Sequence, residues 1–176
     1  MWKRPAARPG GFTLIELLIV VAIIGLLAAM IIPNMIGAMQ KAKQRRTMAD
    51  QRDVGTGMMA WLTDNCGAAA AGAPAVFSID LYTLLDPGDL ATDLLPRYIQ
   101  VLPERDGWGS EYEYRFNRCA EADHIMAIRS FGQDRVAEGD VYSIGGFDPK
   151  EYDRDIVWAD GYFISWPSGV DTSVAP

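Results

Sequence analysis

From residue 11 to residue 33 the chain reads G-FTLIELLIVVAIIGLLAAMII-P, an apolar run broken by one carboxylate, Glu16. No other stretch constrains the fold so strongly. Residues 12–32 number 21, about enough to cross ~30 Å of hydrocarbon at ~1.5 Å per residue. An acid near the bilayer centre costs roughly 2.5–3.5 kcal/mol on insertion scales, so an intramembrane carboxylate is read as functional. The remainder of the 176 residues is enough for one modest soluble domain.

The leading segment, MWKRPAARPGG, is short and basic and lacks an apolar core of its own. A secretory signal places its cleavage site after the apolar run. Here the candidate processing point, between Gly11 and Phe12, lies before it, so a cut would leave the helix in the mature chain. Lys3, Arg4 and Arg8 precede the run, and Lys41, Lys43, Arg45 and Arg46 follow it, so positive charge alone does not set orientation. Cleavage would create an α-amino group on Phe12, one helical turn from Glu16 and on the same face. An ammonium, its own or that of an adjacent copy, makes a buried acid tolerable as half of a pair. Glu16 then serves as a register device for stacking identical helices.

These residues resemble the N-terminus of the type IV pilin superfamily, which includes the pseudopilins of type II secretion: a small residue, Phe, Thr-Leu-Ile-Glu, then an apolar run to Pro33 and Asn34. The resemblance implies that residues 1–11 are a cytoplasmic leader removed by a prepilin peptidase. It implies N-methylation of Phe12, recruitment through Glu16, and a single-pass inner-membrane subunit with its head in the periplasm. Gly25 and Pro33 weaken helix locally, so the 12–33 segment is expected to kink or loosen between them in a packed filament, as the resemblance also suggests.

Residues 34–65 read as a protruding helix. Its 40–53 part is strongly polar, and packing surface is expected mainly later, where Met58, Trp61 and Leu62 fall at helical spacing. Gly55 and Gly57 argue against unbroken helix, and Asn65-Cys66-Gly67 should end it. After a small-residue spacer, a short helix capped by Ser78 or Asp80 should run to Leu85 and stop at Asp86-Pro87-Gly88, with a second turn expected over Asp89 to Leu94. Tyr112, Tyr114 and Phe116 alternate as in a half-buried strand; 125–129 and 162–166 supply two more. The predicted class is α+β, a long N-terminal helix packed on a small antiparallel sheet in a head spanning 66–176.

The 95–114 stretch resembles the major pseudopilin: Leu95-Pro96, then Asp106-Gly107-Trp108-Gly109 and alternating aromatics, with Gly107 where that family has proline. Ser130-Phe131-Gly132-Gln133-Asp134 and Asp155-Ile156-Val157-Trp158 resemble its C-terminal elements. The function this implies is a filament subunit of type II secretion. Its partners would be further copies in a helical filament, minor pseudopilins, the prepilin peptidase, an inner-membrane assembly platform and membrane lipid. Some pilins share these elements, so the alternative is a type IV pilus subunit for adhesion, twitching motility or DNA uptake.

Beyond Thr47, nine basic residues face 22 acidic ones, which argues against a nucleic-acid surface. The basic collar at 41–46 suits anionic headgroups or a merely solvated helix face. Carboxylates crowd the 134–160 region. Calcium takes six to eight oxygens, and the resemblance implies calcium here, with Asp153 and Asp155 as first ligands and Asp134 and Asp140 behind them. The plainer reading is a solvated acidic loop, and the 141–152 stretch looks like an insertion. Cys66 and Cys119 would, in an exported head, close a loop of about 53 residues worth roughly 4 kcal/mol; spacing does not show whether their Cβ atoms meet. The chain has one histidine, His124, and no recognisable catalytic constellation or phosphate loop. The rival class is an enzyme or ligand-binding head on a membrane anchor, which predicts function surviving Glu16→Ala.

Overall fold

The computed structural model describes residues 12–66, 76–117 and 124–169. They fall into two units divided between Ala38 and Met39. Helix α1 (Leu14–Cys66) begins in the first unit and ends in the second.

In the first unit the helix passes through Gly25 and Pro33 unbroken. Its length and composition suffice to cross a membrane. Every large apolar side chain from Phe12 to Ile36 is between 46 % and 81 % exposed. A helix that is apolar all round and unburied is made for lipid or for other helices.

The second unit is built on a six-stranded sheet in the order β2-β3-β4-β7-β8-β6, with a separate two-stranded ribbon of β1 and β5. The strands are β1 (Val76–Ser78), β2 (Leu84–Leu85), β3 (Glu113–Phe116), β4 (Met126–Ser130), β5 (Val141–Ser143), β6 (Gly145–Phe147), β7 (Ile156–Ala159) and β8 (Tyr162–Pro167). The α+β class holds, but the sheet is mixed: β6 pairs with β8 in parallel, and the other pairs are antiparallel. The apparent insertion at 141–152 supplies β5 and the parallel edge strand β6.

Side-chain alternation across β3, β4 and β7 builds two cores. On one face Tyr114, Phe116, Met126, Ile128, Ile156 and Trp158 join Met48, Val54, Met58 and Leu62 of α1. On the other, Ala127, Val157, Ala159 and Ile164 join Ile79, Tyr82 and Tyr142. With both faces covered, β4 and β7 are buried at every residue, which is why β7 shows no alternation to mark it as a strand.

Three expectations change. Asp86-Pro87-Gly88 starts a helix instead of stopping one: α2 (Pro87–Leu94) has Pro87 at its first turn, and the Asp86 side chain accepts the Gly88 N–H at 2.8 Å. Proline at this position costs no intrahelical bond, and the cap satisfies an otherwise unpaired donor. The segment before it is a three-residue 3-10 turn (Ile79–Leu81) and β2. Gly55 and Gly57 do not break α1. They admit neighbours, since a Cβ on Gly55 would lie 2.3 Å from the Trp158 ring and one on Gly57 2.5 Å from Ile99.

Candidate assembly site

The N-terminal acid has a local partner. Thr13 precedes the first turn of α1, and both its N–H (2.9 Å) and its hydroxyl (2.6 Å) donate to Glu16 Oε2. The Glu16 N–H lies 3.3 Å from the Thr13 hydroxyl oxygen and donates to it. This is a capping box: threonine and glutamate three residues apart satisfy each other's terminal donors. The sequence carries the signal for it, Thr-x-x-Glu ahead of an apolar run. The box fixes the carboxylate at the helix entrance, next to Phe12 and in reach of the positive end of the helix dipole. Gly25 and Pro33 lie on the same exposed helix, with open space around the α-carbon of Gly25. Gly11, on the other side of the proposed cut, lies outside the described residues, as does Cys119 of the proposed disulfide.

In the second unit, packing of α1 begins earlier than the apolar pattern suggests. Gln44, Thr47 and Gln51 are buried with Met48. Gln51 Nε2 donates to the carbonyls of Ile156 (2.8 Å) and Ile128 (3.4 Å), crossing from helix to sheet. Thr47 Oγ1 accepts the Gly107 N–H at 2.9 Å, and Gln40 Oε1 accepts the Trp108 indole N–H at 2.8 Å. Polar side chains thus serve as helix-to-head contacts, which a hydropathy count reads as a solvated face.

The Asp106-Gly107-Trp108-Gly109 turn is organised by its aspartate. Asp106 is buried; Oδ1 accepts the N–H groups of Trp108 (2.9 Å) and Ser110 (2.8 Å), and Oδ2 accepts the Ser130 hydroxyl at 2.7 Å. Gly107 presses on the Lys43 carbonyl, with its virtual Cβ 2.4 Å from that oxygen. No side chain fits there, so this helix approach depends on glycine, the residue by which the turn departs from the family pattern.

The four carboxylates expected at calcium are not gathered into one ligand set. Among the described residues no group of three or more His, Cys, Asp or Glu is placed to hold a metal ion. Asp134 accepts the N–H of Val136 at 3.0 Å. Asp140 lies 3.4 Å from the Arg129 guanidinium. Asp155 is buried, and its Oδ2 accepts the Tyr142 hydroxyl at 2.5 Å and the Glu138 N–H at 3.1 Å. Burial pushes the Asp155 carboxyl up to about 6 against these hydrogen bonds and the Arg129 charge. The backbone carbonyls of Tyr152, Asp153 and Arg154 converge on Gly132, each 2.8 Å from where a Cβ would sit. Gly132 sits at φ +64, where a side chain would be strained, and the Tyr152 carbonyl accepts the Gln133 N–H at 2.8 Å.

His124 stands just ahead of β4, half-buried, with Nδ1 3.8 Å from Asp160 and 3.5 Å from the Tyr82 hydroxyl. Asp160 Oδ1 accepts the N–H groups of Ile125 and Met126, both at 3.0 Å, and Oδ2 accepts the Tyr82 hydroxyl at 2.5 Å. Burial first, then Asp160, push the Tyr82 hydroxyl far above its ordinary range, so it remains a donor. The cluster ties the β7–β8 turn to the start of β4.

The family model described as the prokaryotic N-terminal methylation motif matches residues 7–32. The type II secretion system core protein G of Vibrio cholerae is 28 % identical over 153 residues, covering 81 % of this chain and 94 % of that protein. The protein of the same name from Dickeya chrysanthemi is 31 % identical over 108 residues, 60 % of this chain and 67 % of that protein. The type IV major pilin protein PilA of Myxococcus xanthus is 44 % identical over 57 residues, 32 % of this chain and 26 % of that protein. No solved structure matches.

Proposed function

We propose how this chain acts from one premise: it belongs to the family of the type II secretion system core protein G. It is a structural subunit, a pseudopilin, that assembles through its N-terminal helix into a filament serving protein export across the outer membrane. The observation that carries this reading is an unburied apolar helix that opens on a single capped acid. In the bilayer, lipid satisfies that surface. Once the helix leaves the bilayer its apolar area must be covered, at about 25 cal/mol per Å² gained, and further copies of the same helix provide the cover.

The fine steps follow from chemistry at the helix start. Cleavage between Gly11 and Phe12 frees an amine beside Glu16. Oε2 of the acid is already committed to Thr13, which leaves Oε1 to meet an ammonium. Pairing removes much of the cost of two isolated charges in an apolar shaft and fixes the axial register of neighbouring helices. Gly25 and Pro33 provide the points at which the helix yields when packed. The collar at 41–46 sits at headgroup level before extraction, and the head lies in the periplasm. Minor subunits, a prepilin peptidase and an inner-membrane platform are the partners such a cycle requires.

Deletion of the gene in its native cell should abolish secretion. Complementation with wild type should restore it, and with Glu16→Ala should not. Long surface fibres at native expression, with secretion intact in the deletion strain, would overturn this reading in favour of a pilus subunit. The likeness to a pilin over 57 residues is the observation that keeps that second reading in view.

A further inference from the structure

The resemblance implies calcium in the acidic loop, and the residues present do not fit it. The positive charge at that place comes from the protein. Arg129, in β4, is buried, and its five donors are spread over the loop and the strand beside it. Nε donates to Glu113 Oε2 at 3.1 Å, and Nη2 donates to the same oxygen. Glu113 stands directly opposite Arg129 in the β3–β4 register. Nη1 donates to the Gly139 carbonyl (2.8 Å), the Tyr142 hydroxyl (3.1 Å) and Asp140 Oδ1 (3.4 Å). The Phe131 ring packs against the guanidinium, 5.0 Å from centroid to Cζ.

We propose that the Arg129 guanidinium holds the 138–140 loop and, through Tyr142 of β5, the Asp155 carboxylate, in the role a divalent cation would otherwise fill, so that this head is ordered without calcium. A backbone carbonyl and a carboxylate are the ligand types calcium recruits, and here both turn to the guanidinium. Tyr142 extends its reach: the hydroxyl accepts from Nη1 and gives its one hydrogen to Asp155 Oδ2, the charged acceptor. The Glu138 N–H takes the same oxygen, and the Glu138 carboxylate is engaged by Arg154 Nε at 3.0 Å. The oxygen of this group left buried without a partner is Asp155 Oδ1. One oxygen is far short of a calcium shell, and of the neighbouring carbonyls that of Tyr152 is engaged by the Gln133 N–H at 2.8 Å. A cation placed beside Asp155 would also face a fixed guanidinium of like sign, which stays charged at any working pH.

The test is thermal unfolding of the full chain in detergent micelles, with excess EGTA and with millimolar CaCl2, beside calorimetric titration with CaCl2. The wild type should melt at one Tm in both buffers and give no binding heat. Arg129→Gln should melt several degrees lower in both. Tyr142→Phe, which keeps the ring and breaks the relay, should lower Tm by a smaller amount and covers the case in which Arg129→Gln does not fold. A calcium-dependent rise in wild-type Tm, or stoichiometric calcium heat, overturns the proposal. So does an Arg129→Gln protein as stable as the wild type. Because the readouts are melting and binding, failure here is distinguishable from failure of the secretion reading.

Discussion

At the residue scale, the second unit is limited by how closely α1 approaches the loops and sheet. Gly55 makes the point. In an isolated helix Gly→Ala gains about 1 kcal/mol, but here a methyl would lie 2.3–2.6 Å from three atoms of the Trp158 ring. That ring is rigid and buried, so the neighbour cannot give way cheaply, and overpacking costs about 1–3 kcal/mol. Gly55→Ala should therefore lower stability by up to about 2 kcal/mol in urea unfolding, the reverse of its propensity gain. Asp106 is the polar counterpart. Replacing it with alanine strands two N–H groups and the Ser130 hydroxyl, for a loss of about 2–4 kcal/mol. A melt of Asp106→Ala within a degree of the wild type would show that the turn is held some other way. The acid in the apolar run announced itself in the sequence because hydrocarbon makes charge conspicuous. Gln51, Thr47 and Arg129 did not, because a buried polar side chain and a solvated one look alike until their partners, 60 or more residues away for Gln51 and Thr47, are known.

At the element scale, the long helix was legible and the sheet only partly so. β3, β4 and β8 follow from alternation or apolar runs. β7 carries no strand pattern, because two covered faces erase the period of two. β5 and β6 are three residues each and take their pairing from β1 and β8, so no local signal fixes them. At α2 the same residues bear two readings. Asp-Pro-Gly marks a turn, and Asp followed by Pro also caps and opens a helix. What decides is downstream, where Leu90 and Leu94 fall four apart and are both buried. The cap hypothesis is testable on its own: Asp86→Ala should cost about 1 kcal/mol, and Asp86→Ser should recover most of it. Equal stability of Asp86→Ala and wild type in urea would remove the cap from the account.

At the scale of the whole molecule, folding and assembly divide between the two units. All core residues of the second unit lie from Met48 onward, and its polar contacts to α1 begin at Gln40, whose Oε1 accepts the Trp108 indole N–H. Removing residues 1–38 takes away none of them. A chain beginning at Met39 should therefore be soluble without detergent and melt within a few degrees of the full chain. Conversely, Glu16→Ala changes a residue that belongs to the first unit. It should leave the Tm of the head unchanged and still abolish filament formation, measured by cysteine cross-linking between helices of neighbouring copies. Gly55→Ala should do the reverse at permissive temperature, lowering Tm while cross-links still form. This double dissociation carries more weight than either loss alone, since a destabilised subunit also fails to assemble. If Glu16→Ala lowered the head's Tm, the carboxylate would be a folding element, and its exposed place at the mouth of the apolar helix would need another explanation. If cross-links persisted in Glu16→Ala, the pairing of acid and amine would not be what sets the register. The shaft would then rest on apolar burial alone, a force without direction that cannot by itself choose one axial stagger among several.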